Sequence, residues 1–568
     1  MGTVSTAVTL VLIMYIVFFF LRYINKMGLY ILGFIFVLLN FSLMVDFFIH
    51  RLYNFHINAM VINIITSPAA ADSIQLGMAP YFGVAAIIVF LMAFEVFMIR
   101  FLSNLSEETT WGSNKRLNKL IILPLFFVIL IEKVSFGLAT AYSKNEIVSK
   151  FSVIPLYQPL TFNRLAYKYF GLETREEVNT VIEGNQDIKY PLEPLTYVSD
   201  AKKTNIFIFG SDGVRGSVID EKTTPNIAAF SKESFLYDNH VSGGNSTRFG
   251  IFSLMYGVNA SYWFKFLSAA KGSILFDALD TLGYQTNISS STSTQWPEFR
   301  KTCYVDVGPC IKDDFEGSPS EKDAQNSEYF KKWIDKQDLS KPIFSFSFWD
   351  APHGRHYPEE HRIFLPDAGG STNYLSLDEE TAKVELFNQY KNAIHFNDAL
   401  FGEMMQTLKD KGLYEDSIII FTSDHGEEFY EHGYFGHNSA FSRPQIQSAL
   451  IIKFPHQEPK VISALTSHVD LVPTLLNYIG VKTPVSSYSN GQDLLSQQYK
   501  RDYAFVSNWN YNAVYTDKKT MVFSNLPNKV FNNEVRDSKT YIKLNSDKNE
   551  VDPVLILKIL DENRRFLQ

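Results

Sequence analysis

Ser423-Asp424-His425-Gly426-Glu427 follows directly on the apolar run 417–421, so an adjacent carboxylate and imidazole stand at the carboxyl end of a buried strand. Open α/β sheets keep their chemistry at that edge. An isolated Asp-His pair would equally serve to cap the next helix. The chain, however, repeats the device. Residues 205–209 form a second buried-strand pattern that runs through Gly210 and Ser211 into Asp212. Residues 342–349 are a third, leading to Asp350-Ala351-Pro352-His353-Gly354, and His437 closes the segment Glu431-His432-Gly433-Tyr434-Phe435-Gly436-His437. Asp212, Asp424 and His425 make a ligand set that suits a divalent ion with an open coordination position. Oxygen-rich ligation admits manganese or magnesium, whereas the histidines favour zinc.

The remaining ingredient is a hydroxyl. Ser242-Gly243-Gly244-Asn245-Ser246-Thr247-Arg248 precedes the apolar stretch 250–256, which places a hydroxyl at a helix N-terminus, where backbone N–H groups favour an anion. A hydroxyl held on a cation loses its proton far more readily than a free one. Ser246 and Thr247 are the two candidates.

These residues resemble the alkaline phosphatase and sulfatase superfamily, and within it the membrane-anchored phosphoethanolamine and lipoteichoic acid type transferases. The resemblance spans about residues 205–494 and includes the helix pattern 381–411 and Ser467-His468-Val469-Asp470-Leu471-Val472-Pro473-Thr474-Leu475-Leu476. Tyr190-Pro191-Leu192, Gly244-Asn245-Ser246-Thr247 with Gly250-Ile251-Phe252, Tyr256-Gly257 and Gly491-Gln492-Asp493-Leu494 are similar to the PbgA (YejM) inner-membrane family, over nearly the whole chain. Counting back from Tyr256-Gly257 as in the superfamily makes Thr247 the nucleophile and a metal ligand; a gapped comparison with lipoteichoic acid synthases selects Ser246 instead. The implied reaction is attack of Thr247 on phosphorus, giving a phospho-enzyme that passes its group to an alcohol or water. His353 and His437 would stand on the substrate side, to neutralise phosphoryl oxygens, protonate a leaving group or help hold a second ion, while His432 reads as a surface residue. Two departures argue against sulfate ester hydrolysis. Thr247-Arg248-Phe249-Gly250-Ile251 lacks the Cys-x-Pro-x-Arg pattern, and Ser211-Asp212 replaces a pair of aspartates.

Positioning these groups falls to an α/β domain, because from residue 205 strand runs alternate with amphipathic helices at 225–232, 273–282, 327–337, 381–411 and 470–478. That pattern predicts a mainly parallel sheet covered by helices. The serine-rich stretch 289–294 and Gly369-Gly370-Ser371-Thr372 read as connecting loops. Short strands over 503–523 and a closing helix over 552–566 complete the chain.

Length and composition indicate a two-part, membrane-anchored protein: 568 residues exceed a usual domain, and the 48 Phe gather partly in long N-terminal apolar runs. Four spans are predicted at residues 7–24, 29–49, 81–101 and 120–139, each near the ~20 residues that cross a bilayer core. Glu132 and Lys133 interrupt the last, and Asp46 and Glu95 lie near span ends, where snorkelling is expected. Arg22, Lys26, Arg100, Lys115, Arg116 and Lys119 place the first and third connections in the cytoplasm. Both chain ends and the large domain are then expected outside, in the periplasm of a bacterial inner membrane. The uncharged stretch 1–6 lacks the basic region of a signal peptide. The resembled family has five spans with its amino terminus inside; a switched amino terminus or a misassigned start accounts for a count of four.

The expected organisation is a transmembrane domain at 1–141, a juxtamembrane connector at 142–203, the catalytic-type domain at 204–500 and a C-terminal subdomain at 501–568. Arg164 and Lys168, one helical turn apart, are candidate contacts for lipid phosphates, and the comparable segment of the resembled family is associated with lipid A. Cys303 and Cys310 allow a disulfide in an oxidising compartment. A formal net charge of −8 argues against nucleic acid. Two functions follow. One is a metal-dependent phosphohydrolase or phospholipid-headgroup transferase (phosphoethanolamine or phosphoglycerol type) acting on envelope lipids or lipopolysaccharide. The other, implied by the resemblance, is a lipid A- or cardiolipin-binding regulator of lipopolysaccharide homeostasis and the outer-membrane barrier, working with an inner-membrane regulatory partner protein.

Overall fold

A computed structural model describes residues 2–21, 26–53, 55–66, 78–108, 115–141, 151, 154–157, 160, 188–199, 201, 203–369, 377–524, 534–544 and 553–567. Arg164 and Lys168 lie outside them.

The N-terminal part consists of α1 (Gly2–Leu21), α2 (Lys26–Tyr53), α3 (Ala59–Thr66), α4 (Met78–Glu108) and α5 (Lys115–Ala141). The expected spans at 29–49, 81–101 and 120–139 fall within α2, α4 and α5, and the one at 7–24 overlaps α1 as far as Leu21. Among the described residues, Met27–Tyr53 and Tyr81–Phe101 are the helices long and apolar enough to cross a membrane. Asp46 does not snorkel. It is buried, and its carboxylate takes the Ile57 N–H at 2.6 Å and lies 2.7 Å from His56 Nδ1, fastening the turn that follows α2. Glu132 is also buried and satisfied. It accepts hydrogen bonds from Ser5 Oγ (2.7 Å) and the Tyr157 hydroxyl and pairs with Lys133 at 3.1 Å, tying α1 to α5 and to the chain beyond it.

The large domain is built on one sheet whose strands are β1 (Asn205–Ser211), β2 (Phe235–Tyr237), β4 (Gln285–Ser290), β5 (Ile311–Lys312), β6 (Ile343–Trp349), β7 (Ser417–Ser423), β10 (Leu450–Lys453) and β11 (Lys460–Ile462). The order is β11-β2-β10-β7-β1-β6-β4-β5. β1 is central, parallel to both β6 and β7, so Ser211, Trp349 and Ser423 end in register at one edge. The sheet is mixed, not purely parallel: β10 runs antiparallel to β7 and β2. The reversal needs no helical crossover, because the loop from the Asp-His pair returns directly along the edge of β7. Side chains alternate between two cores. Ile206, Ile208, Phe346, Ile418 and Ile420 fill one face; Phe207, Phe209, Trp349, Ile419 and Phe421 fill the other, beneath Phe330 and Phe401. Each such buried side chain contributes about 1.5–3 kcal/mol.

Two small pairings and a four-stranded sheet accompany the main sheet. β3 (His240–Val241) pairs with β12 (Thr466–Ser467), and β8 (Glu428–Phe429) with β9 (Phe435–Gly436) as a hairpin. β13 (Ala504–Ser507), β14 (Tyr511–Tyr515), β15 (Lys519–Ser524) and β16 (Glu534–Asp537) form a separate antiparallel sheet. Ser289 and Ser290 close β4 and are not loop residues, since Ser289 and Asn287 hydrogen-bond across to Ser347 and Ser345 of β6. Part of the predicted surface connector belongs to the core: Tyr190 packs edge-on against Phe266 (5.0 Å) and Phe566 (5.4 Å). The expected disulfide is absent. Both cysteines are free thiols, because Cys303 is turned into the core, where burial pushes its pKa up, while Cys310 sits half-buried on a separate turn.

Candidate active site

The central parallel strands deliver their carboxyl-end residues to one point. Asp212, Asp424 and His425 are all buried, and one ligand atom from each lies within 4.8 Å of the others. His425 Nε2 is 3.5 Å from Asp212 Oδ1 and 3.3 Å from Asp424 Oδ2. His425 Nδ1 donates to Gly426 O at 2.8 Å, which leaves a lone pair on Nε2. Asp212 Oδ1 and Asp424 Oδ2 are buried acceptors that make no hydrogen bond. Burial first, then repulsion from Asp424, raises the Asp212 pKa well above the usual carboxylate range. Converging acceptors of this kind are costly unless a cation joins them. The donor set therefore fits a divalent metal.

Thr247 opens the helix Thr247–Tyr256, and its backbone approach to the strand end is set by Gly250. A Cβ at Gly250 would meet Asp424 O at 2.2 Å, so only glycine lets the helix sit this close. Thr247 Oγ1 is 3.2 Å from Asp212 Oδ2 and 3.3 Å from His425 Nε2. Ser246 is the residue before the helix; its buried hydroxyl makes no hydrogen bond. Of the two candidate hydroxyls, Thr247 is the one in contact with the ligand cluster.

His437 follows β9, and its ring centroid lies 4.4 Å from that of His425 and 5.3 Å from that of His353. Its Nδ1 pairs with Glu427 Oε2 at 2.8 Å. Burial pulls the His437 pKa down, but the charge and hydrogen bond of Glu427 outweigh it and raise it. Glu427 is correspondingly held at about 2, against the opposing effect of its own burial. His353 Nδ1 lies 3.7 Å from Asp350 Oδ1, and burial together with neighbouring His437 lowers its pKa to about 4. Glu427 thus favours the protonated form of His437, while burial favours the neutral form of His353. His432 stands apart, its ring against Tyr541 at 6.4 Å. Sequence reasoning passed over Glu427, although it ends the Asp-His-Gly-Glu string. It also passed over Arg355, a buried cation whose charge acts on both Glu427 and His437.

The family profile described as Sulfatase matches residues 209–481, which contain every member of this cluster, and a domain of unknown function (DUF3413) matches residues 1–197. Residues 209–481 therefore carry a sulfatase-type domain of the alkaline phosphatase superfamily. It is similar to the inner membrane protein YejM of Salmonella typhimurium, at 24% identity over 536 residues, 92% of this chain and 83% of that one. Over 131 residues, 21% of either chain, it is 31% identical to the lipoteichoic acid synthase-like YvgJ of Bacillus subtilis. The fold is shared with a protein in the alkaline phosphatase superfamily from Vibrio parahaemolyticus, with a TM-score of 0.50 at 18% identity, covering 68% of this chain and 92% of that one. Superfamily members are hydrolases and transferases, and they typically use a divalent metal.

Proposed function

We propose that this protein is a metal-dependent phosphoryl-group hydrolase or headgroup transferase acting on envelope lipids or lipopolysaccharide, from a domain tethered at the periplasmic face of the inner membrane. The observation that carries the reading is Thr247 Oγ1 in contact with both Asp212 and His425, where a sulfatase would place a cysteine. Asp212, Asp424, His425 and Thr247 would hold zinc, manganese or magnesium, which supplies charge stabilisation at the attacking oxygen.

The Thr247 oxygen bonds to phosphorus, and its proton has Asp212 Oδ2 as the acceptor in hydrogen-bond contact. The ester bond to the first alcohol breaks, and the departing oxygen takes a proton from His437, whose protonated form Glu427 favours. A second alcohol, or water, then attacks the phosphothreonine and gives its proton to His437, while the bond from phosphorus to the Thr247 oxygen breaks and that oxygen takes back the proton held on Asp212. Arg355 and His353 border the space where phosphoryl oxygens would lie. Tethering raises the effective concentration of a bilayer substrate beside these groups. Arg164 and Lys168 of the connector would add phosphate contacts at the membrane surface.

The test is metal analysis of the purified full chain, followed by turnover of p-nitrophenyl phosphate by the metal-loaded protein and by Thr247→Ala. Metal-dependent turnover that is lost in Thr247→Ala supports the enzyme. Equal turnover by both proteins removes the nucleophile. A metal-free protein without turnover that still binds lipid A vesicles returns the reading to a regulator of lipopolysaccharide homeostasis.

A further inference from the structure

The chain from the end of α2 to α3 touches several of the segments around the site. Leu52, at the end of α2, is buried in a cluster with Val214, Tyr390 and Phe435. Tyr390 is itself a bracket for the Asp212 turn: its hydroxyl donates to Gly213 O at 2.7 Å and accepts from Arg215 N at 3.1 Å. Phe55 lines a small cleft with Asn438, the neighbour of His437, and with Trp509. The third contact is the most directed. Asn63 on α3 accepts from Trp296 Nε1 at 2.7 Å and from Arg248 Nη2 at 3.3 Å through one atom, Oδ1. Both partners only donate, so the amide can face them in one orientation alone.

Arg248 is the residue after Thr247. Its guanidinium is buried, paired with Glu298 at 2.9 Å and set over the Trp509 ring at 4.3 Å, with Trp263 and Trp296 alongside. A planar cation in an aromatic box has little freedom, and a box of indoles supplies few acceptors for its five N–H groups. Asn63 provides one. Removing that acceptor leaves a desolvated N–H and loosens the first turn of the helix that aims Thr247.

We infer that Asn63 is a positioning residue through which the membrane-helix segment completes the catalytic domain, fixing Arg248 and hence Thr247. The inference rests on the phosphoryl-transfer reading above, and it makes the site fully formed only when residues 52–63 are docked.

The experiment uses the full chain in detergent, loaded with manganese or zinc, with p-nitrophenyl phosphate as substrate. Asn63→Leu removes the acceptor, whereas Asn63→Asp retains one that both donors can reach. The expected result is a fall in kcat of about tenfold in Asn63→Leu with KM nearly unchanged, and recovery to within about twofold in Asn63→Asp. Unchanged kcat in Asn63→Leu, or an equal loss in both variants, overturns the inference. Hydrogen exchange of a peptide covering residues 243–256 gives a reading independent of turnover: Asn63→Leu should speed exchange there and Asn63→Asp should not. If the parent protein shows no turnover, the enzyme reading fails, and exchange alone decides the inference; equal exchange in parent and Asn63→Leu overturns it.

Discussion

The Gly213 N–H donates to Asp424 Oδ1 at 3.0 Å, joining the turn after β1 to the end of β7 and leaving Asp424 Oδ2 turned to the ligand cluster without a hydrogen bond. One oxygen of this carboxylate is structural and the other is held ready. The same division holds at Asp212, where Oδ2 meets Thr247 and Oδ1 makes no hydrogen bond, so the two buried carboxylates call for a cation between them or a proton on Asp212.

Asp212→Asn therefore changes stability in opposite directions with and without metal. Repulsion between Asp212 and Asp424 disappears, so the metal-free protein should gain about 1–3 kcal/mol. The metal-bound protein loses a charged ligand. Thermal unfolding with and without added manganese or zinc checks this: the parent should be raised strongly by metal and the variant little.

Glu427→Gln should lower kcat/KM by roughly tenfold to a hundredfold, because His437 loses the anion that raises its pKa. Glu427 also belongs to a second group, with His425 and His437, whose ligand atoms lie within 4.8 Å of one another, so the ion held by Asp212, Asp424 and His425 should be retained while any second ion is weakened. Metal analysis beside steady-state kinetics separates the two effects. Loss of all bound metal together with activity would count against this assignment.

Gly250→Ala tests the close approach of helix and strand end. The added methyl meets backbone, which cannot swing aside, so overpacking should cost about 1–3 kcal/mol and displace Thr247. Thermal unfolding and turnover should both fall, with turnover falling further.

A pH effect belongs to His468, buried between Ser242, Ser448 and Gly250. Burial lowers its pKa from 6.5 to about 4, so the unfolded chain binds the proton more readily over that interval. Its contribution is fully present above pH 6.5 and is lost as pH falls towards 4, in all about 3 kcal/mol. The destabilisation caused by His468→Asn should then shrink between pH 7 and pH 4.5, as read by thermal unfolding. A pH-independent difference would refute it.

Much of the site is legible in the sequence because each ligand sits where an apolar run stops. β1, β6 and β7 are recognisable from runs buried on both faces, and Asp212, Asp424 and His425 follow from them. Elsewhere, long-range contacts decide. The helix predicted at 327–337 begins at Pro319, where Glu321 Oε2 accepts from Ser318 N at 2.8 Å, a capping box on a polar stretch that hydrophobic periodicity misses. Glu427 acquires its role from a hairpin that brings His437 back to it, and Asn63 from docking against residues 185 and 233 positions away. No local pattern encodes either. Asp46 shows the converse: its place near a span end suggested the interface, but a partner ten residues on, His56, allows it to be buried.

The central claim is that Thr247 carries the phosphoryl group. Acid quenching of the metal-loaded full chain during turnover of p-nitrophenyl phosphate, followed by peptide mass spectrometry, measures this directly. Phosphothreonine at position 247, absent from Thr247→Ala, is the expected result. Phosphate on Ser246 instead, or sustained turnover with no phosphopeptide from residues 242–256, would contradict the account.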